Sequence, residues 1–196
     1  MGEDAFAPWG PLLLHNLPNS GALEENLVDC IVSSSAMPGM YGSHKGNVDG
    51  AFVSRDPTLA AIAVAVSNGH RLEDIVAVCF GTGFMANWIG QDTSDWGGFQ
   101  WQGQSNPANR TPSLIINGSV SPFLNFCLNG TSTNLVPELC QMLLGSDRYA
   151  YVNPSLDRVI PENATNPADL RYMEEQVAVY DLDHALQVVK KYWTVV

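Results

Sequence analysis

An α/β fold is predicted by a capped helix that is followed by a short, strongly apolar strand. The helix pattern begins at Asp56, a good N-cap, with Pro57 at the first helical position, and it repeats apolar residues at the spacing of one helix face. Gly69 is placed to end this helix. The segment 75–83, IVAVCFGTG, is β-branched and continuously apolar, which is typical of a strand buried on both faces of a parallel sheet. A helix followed by such a strand is typical of α/β folds.

The segments on either side of this unit predict more helices and short strands around a partial sheet. The apolar run 11–17 predicts a buried strand. Residues 22–39 begin as a helix, with Leu23, Leu27 and Cys30-Ile31 on one face, and stop at Pro38-Gly39. Further helices are predicted over 120–130, 134–145, 164–176 and 182–194, and an edge strand over 149–156. The last helix places Leu182, Ala185, Leu186, Val189 and Trp193 on one face.

Length and composition indicate one domain, 1–196, with enough apolar material for a core. Hydrophobic residues make up 45% of the 196 residues and charged residues 15%, and the net charge is −11. Such an acidic chain repels nucleic acid, so a nucleic-acid partner is not expected. The four cysteines lie far apart, with Cys30 and Cys79 in apolar runs expected to be buried thiols, and no run of about 18 apolar residues predicts a transmembrane segment. A cytoplasmic protein is the expectation, since the N-terminus has no cationic segment before its short apolar stretch.

Residues 84–118 interrupt this regular pattern with a long segment rich in aromatic residues and Gly. Trp88, Trp96, Phe99 and Trp101 lie among many Gly, Gln, Asn and Ser residues without a clear period. Long ordered loops of this kind often bind ligands or cover active sites. We therefore consider a surface that binds acyl chains or docks at membranes or lipid droplets, and beside it an aromatic patch that only packs on itself.

Three sequence motifs follow one another in an order that is typical of one enzyme family. SSSAMPGMYG (33–42) is a run of small residues broken by Pro, VDGAFVSRDP (48–57) combines Asp-Gly with a helix start, and LEDIVAVCFGTG (72–83) is the strand with its Gly-Thr-Gly exit. In this order and spacing the chain resembles the patatin-like phospholipases over about residues 10–85. The resemblance implies a patatin-like fold, a modified α/β-hydrolase arrangement with Rossmann-like layers, and hydrolysis of phospholipid or acylglycerol esters without a cofactor.

The resemblance further implies a serine–aspartate dyad whose base is Asp49. Gly50 and Ala51 would complete the Asp-Gly-Ala turn, with Gly50 accepting unusual backbone angles at a strand end. A carboxylate that activates a serine must come within hydrogen-bond reach of the hydroxyl and be free of a stronger partner. A turn at the carboxyl end of a strand is suited to this role, because ligands in open α/β sheets bind there.

The chain departs from the family pattern at the nucleophile. It contains no G-x-S-x-G, and Ser43 follows Gly42 directly, so the spacing of the nucleophile elbow is wrong. Arg55-Asp56-Pro57 replaces the family's Asn-Asn-Pro. Three interpretations stay open: a truncated enzyme, one half of a split enzyme whose partner chain supplies the serine, and a non-catalytic interaction module that binds a partner or lipid. Each leaves apolar surface uncovered, which predicts association with another chain.

Other types of site are less consistent with the sequence. A Ser-His-Asp site would draw on Ser33–Ser35, Ser43, His44 and Asp49, but no elbow presents these serines. His15 and His184 are expected to be structural, and no metal-ligand motif is present. The Gly81-Thr82-Gly83 segment lacks the further glycine and lysine of a phosphate loop, so it is interpreted as a strand exit.

Overall fold

The computed structural model divides into two compact units. They comprise Met1–His70 and Arg71–Val196. The structure describes residues 10–18, 20–38, 40–84, 92–102, 122–129, 135–158, 160 and 164–193. Most of the aromatic segment 84–118, including Trp88, lies outside these residues.

The first unit is helical where it has regular structure. It contains α1 (Leu27–Ser34), the short α2 (Ala51–Ser54) and α3 (Thr58–Ser67). Asn26 caps α1 by accepting a hydrogen bond from the Val28 N–H. The sequence prediction for α3 is confirmed, because the Asp56 carboxylate accepts from the Thr58 N–H at 2.9 Å and Gly69 follows with φ +92°.

A tight hairpin turn links α1 to the Asp-Gly segment. His44 and Asn47 exchange both backbone hydrogen bonds, and the two residues between them, Lys45 and Gly46, have φ of +50° and +80°. Positive φ at both central positions matches a type I′ turn, and Gly at the second of them accepts that geometry without strain. The chain then returns to the end of α1, where the Asp49 N–H donates to the Ala36 carbonyl.

The second unit is built on a parallel pair of strands. β1 (Ala77–Phe80) pairs in parallel with β2 (Tyr149–Val152), with Ala77 opposite Tyr149 and Phe80 opposite Val152. The described helices of this unit are α4 (Gly98–Trp101), α5 (Pro122–Asn129), α6 (Val136–Leu144), α7 (Pro167–Ala178) and α8 (Asp183–Tyr192). Helices with a parallel strand pair make a mixed α/β unit, so this part of the predicted fold class is confirmed.

One part of the core of the second unit lies between the sheet and α8. Ala150 of β2 packs with Ala185 and Val188 of α8, and Val78 and Val152 of the strands lie against them. Ala185 and Val188 are three residues apart and share one helix face. The predicted face was therefore wrong by about one position, since Val188 is buried whereas Leu186, Val189 and Trp193 stay exposed.

Several predicted elements differ from those observed. Residues 11–16 form no strand, and Leu12 and Leu13 are exposed by more than half, because these residues have no strand partner among the described residues. β1 is half-buried rather than buried on both faces, and Phe80 is 72% exposed. Cys30 and Cys79 are half-buried, whereas Cys140 is the buried thiol among the described cysteines.

Candidate functional site

Asp49 lies at the start of α2 rather than at the end of a strand. Its Oδ1 accepts a hydrogen bond from the Ala51 N–H at 2.7 Å, so one carboxylate oxygen caps the helix. The strand end predicted at Val48 does not form, because the backbone here pairs with the end of α1 instead of with a strand. Within the described residues, Oδ2 of Asp49 makes no hydrogen bond. Oδ1 therefore holds the helix start, and Oδ2 has no partner among the described residues that would prevent it from accepting a proton.

The Asp-Gly-Ala turn is held by the backbone of α1. The Asp49 N–H donates to the Ala36 carbonyl at 3.1 Å, and the Gly50 N–H donates to the Ser34 carbonyl at 3.2 Å. Gly50 itself has φ −65°, and a Cβ added there would lie 3.7 Å from the Ser34 hydroxyl. The expected need for glycine at this position was therefore wrong, since the turn uses ordinary backbone angles and has room for a side chain.

The serines near Asp49 are engaged in local structure. Ser33 is buried and its hydroxyl donates to the His44 carbonyl at 3.4 Å, while the Ser35 hydroxyl donates to the Ile31 carbonyl at 2.7 Å. Hydroxyls that bond to backbone carbonyls in this way support the turn and the helix end. No contact joins Ser33 or Ser35 to a carboxylate or to the His44 ring in the part of the chain described, so a triad is not assembled by these residues.

The His44 ring pairs with a carboxylate that the sequence interpretation did not include. Its Nε2 lies 2.7 Å from Oδ1 of Asp29, in the first turn of α1, and Lys45 Nζ lies 2.8 Å from Oδ2 of the same residue. Hydrogen bonds from Lys45 and then His44 lower the pKa of the Asp29 carboxyl from its ordinary value of 3.8. Asp29 and His44 are 15 positions apart, so no local motif marks this pair.

The Gly81-Thr82-Gly83 segment is a strand exit in the second unit. Its turn is fixed by Asn153, which follows β2: Oδ1 of Asn153 accepts from the Gly83 N–H at 2.8 Å, and Nδ2 donates to the Tyr151 hydroxyl at 2.7 Å. A Cβ on Gly81 would lie 2.3 Å from Oδ1 of Asn153, and Gly83 has φ +92°. Both glycines are therefore required by the geometry. Asn153 was missed, because its role depends on parallel pairing across about 70 residues.

His184 and His15 each form a hydrogen bond with a backbone atom. His184 Nε2 donates to the Ser146 carbonyl at 2.7 Å across 38 positions, and His15 accepts from the nearby Leu17 N–H at 3.3 Å. No group of three potential metal ligands occurs in the described part of the chain. None of its helices is long and apolar enough to cross a bilayer, as far as the structure describes them.

Two curated proteins are similar to this chain over nearly its whole length. The first, named "Putative sporulation hydrolase CotR", is from Bacillus subtilis (strain 168) and is 28% identical over 94% of this chain. The second, named "Protein teg", is from Priestia megaterium and is 28% identical over 96% of this chain. The chain spans about three-fifths of the length of these relatives, 59% and 62% respectively. No family model and no solved structure matches.

The name of the Bacillus protein describes a hydrolase, whereas the name of the Priestia protein states no activity.

Proposed function

We propose that this chain carries the aspartate half of a serine–aspartate lipid acyl hydrolase of the patatin type, acting on phospholipid or acylglycerol esters. The observation that carries the proposal is that the two oxygens of the Asp49 carboxylate differ in their contacts. Oδ1 caps α2 by accepting from the Ala51 N–H at 2.7 Å, and Oδ2 has no hydrogen bond from a described residue. A helix cap fixes the direction of the carboxylate, and an uncommitted oxygen is what a general base requires. The motif order and the hydrolase name of one relative support the same class.

In the proposed reaction Asp49 is the proton carrier for a serine outside these 196 residues. The serine oxygen attacks the ester carbonyl carbon while its proton moves to Oδ2 of Asp49, and backbone N–H groups stabilise the oxyanion. The alcohol then leaves with that proton. Water attacks the acyl-enzyme, again passing a proton through Asp49, and releases the fatty acid and the free serine.

The proposed fold, domain and location follow from the same assignment. The chain would be the C-terminal part of one patatin-like domain with the aromatic segment 84–118 as a loop, and its enzyme would work in the cytoplasm or peripherally at membranes and lipid droplets. The nucleophile would come from a preceding segment or from a partner chain. About two-fifths of each relative lies outside the part that this chain matches.

A chimera provides the test. Joining the part of the Bacillus relative that this chain does not match to these 196 residues is expected to yield a protein that hydrolyses p-nitrophenyl butyrate and is labelled by a fluorophosphonate. Asp49→Asn should lower the turnover of the chimera by roughly 10³-fold or more, since the base is removed. The chain by itself is expected to show neither labelling nor turnover.

Asp56→Asn is the matched control for the chimera. Asn is as good a helix cap as Asp, so this nearby change from Asp to Asn should preserve most of the turnover. A chimera that folds by circular dichroism but is neither labelled nor active would contradict the proposal. Fluorophosphonate labelling of the chain alone, abolished by Asp49→Asn, would contradict the placement of the serine elsewhere.

A non-catalytic interaction module is the second candidate, and the surface of α1 favours it. Leu27, Val28 and Ile31 are 72%, 66% and 58% exposed, although an amphipathic helix normally buries such residues. An exposed apolar face of this kind marks interaction surfaces on soluble proteins. A folded, inactive chimera would leave this candidate as the better account of the chain.

A further inference from the structure

A cavity opens at the carboxyl ends of β1 and β2, entirely within the second unit. Its volume is about 310 Å³. It lies between the strand exits and α7, where ligands of open α/β sheets commonly bind. Its lining consists of Phe80, Gly81, Thr82, Val152, Pro154, Leu156, Met173, Gln176, Val177, Tyr180 and Leu182.

The lining is apolar and carries no charge. None of the lining residues is acidic, basic or a histidine, and most are aliphatic or aromatic. Small-molecule sites have this composition, with a few placed polar groups that orient the ligand. Leu156, Met173 and Val177 present aliphatic surface, which favours a flexible hydrocarbon chain as the occupant.

Two polar side chains at this cavity are available to a ligand. Thr82 is exposed at the tip of the Gly-Thr-Gly turn, and neither its N–H nor its hydroxyl bonds to another described residue. The Gln176 amide is likewise uncommitted within the described residues. By contrast, the hydroxyl of Tyr180 already binds the backbone of Tyr151 and Asn153. Thr82 and Gln176 offer hydrogen-bond donors to an oxygen of the ligand.

The uncharged lining favours a neutral ligand over a carboxylate. No lining residue is a cation that could pair with a bound anion, and an unpaired charge is costly to bury in apolar surroundings. The chemistry that remains is an aliphatic chain with an uncharged oxygen at its end, as in an ester or an alcohol.

We propose that this cavity binds the hydrocarbon chain of a neutral ester or alcohol, with Thr82 and Gln176 donating to its oxygen. The site goes beyond the assignment of Asp49, because it belongs to the other unit and involves binding alone. Asp49→Asn is expected to leave it intact. Failure of the hydrolase proposal and failure of this one are therefore separate results.

Methyl ¹³C-methionine NMR provides the readout. The chain has six methionines, of which Met173 lines the cavity, and Met173→Leu assigns its signal. Titration with 1-octanol or methyl octanoate is expected to shift the Met173 methyl signal saturably and to leave that of Met142 in place. Octanoate near pH 7.5 should bind roughly tenfold or more weakly, because its charge would enter an uncharged site. No saturable shift at Met173, an equal shift at Met142, or tighter binding of octanoate would each overturn the proposal.

Two phenylalanine variants on the surface of the second unit locate the binding. Val177 lines the cavity and is 57% exposed, so Val177→Phe can fill the space without disturbing the core, and it should weaken octanol binding roughly tenfold. Val179 is 81% exposed and does not line the cavity, so Val179→Phe is the matched control and should bind as the unchanged protein does. Equal binding by both variants would place the ligand elsewhere and refute the assignment.

Discussion

At the scale of single residues, two glycines in turns differ in whether the structure tolerates a side chain at their positions. Gly50, in the Asp-Gly turn, has φ −65° and space for a methyl group, so its conformation is open to other residues. Gly81, in the Gly-Thr-Gly turn, lies so close to Asn153 that a Cβ would overlap its amide oxygen. The difference comes from a neighbour about 70 residues away, which the local sequence does not reveal.

Gly81→Ala is therefore expected to destabilise the protein by about 1–3 kcal/mol. The new methyl group must displace the Asn153 side chain, which then loses its hydrogen bonds to Gly83 and Tyr151. Urea unfolding followed by circular dichroism measures the change. Gly98→Ala is the control, because an added Cβ there meets nothing within 4 Å. Equal stability of the two variants would show that Asn153 moves without cost.

At the scale of elements, α1 and the hairpin turn are joined by a polar cluster. Asp29 on α1 accepts from His44 and Lys45, both of which belong to the turn. Ser33 adds a bond from α1 to the His44 carbonyl. Since Asp49 follows this turn by only a few residues, the cluster helps to determine where the Asp-Gly segment meets α1.

This cluster predicts a specific dependence of stability on pH. The pKa of Asp29 is lowered below its ordinary value of 3.8 by Lys45 and His44, so its stabilising contribution is present above that value and is lost as the pH falls through the lower folded pKa. The pKa of Lys45 is raised above 10.5 by Asp29, so its contribution is present below that value and is lost as the pH rises through the folded pKa. Acid unfolding titrations should show that Asp29→Asn flattens the fall in stability between about pH 5 and pH 2.

Glu24→Gln controls for the loss of one negative charge on the same unit. Glu24 is exposed, so the variant should retain the steep fall in stability at low pH. If Asp29→Asn and Glu24→Gln gave the same pH profile, the contribution assigned to the cluster would be wrong.

At the scale of the whole molecule, apolar surface and high net charge act against each other. The face of α1 formed by Leu27, Val28 and Ile31 is exposed, and the chain has a net charge of −11. Charge repulsion favours separate chains, whereas burial of the α1 face favours association. Added salt screens the repulsion and leaves the apolar contribution in place.

The chain is therefore expected to self-associate with rising concentration, and more so at about 0.5 M salt than at low salt. Leu27→Glu should reduce this association, because it places a charge on the apolar face of α1. Sedimentation velocity measures the effect. Val179→Glu introduces the same charge at an 81% exposed position directly after α7 and should change association little. Monomeric behaviour of the unchanged chain at all concentrations would refute this role of α1.

Much of the local structure could be predicted because it depends on neighbours in sequence. The start of α3 at Asp56-Pro57 and its end at Gly69 were recognisable as helix signals. The contacts of the candidate site were harder to predict from the sequence. Asp49 was found through a motif, but the Asp29–His44 pair and the role of Asn153 depend on contacts between distant segments. No period or spacing in the sequence carries that information.

The sequence by itself determined the mixed α/β character of this protein, the helix ends and the candidacy of Asp49, because caps, turns and strand runs act over a few residues. Only the tertiary structure decided that Asp49 caps α2 with one oxygen, that His44 pairs with Asp29, and that Gly81 rather than Gly50 needs to be glycine. It also decided that the apolar face of α1 is exposed and that a neutral cavity lies beyond β1 and β2. Burial and contact between distant residues depend on how segments pack, and packing is a property of the folded chain.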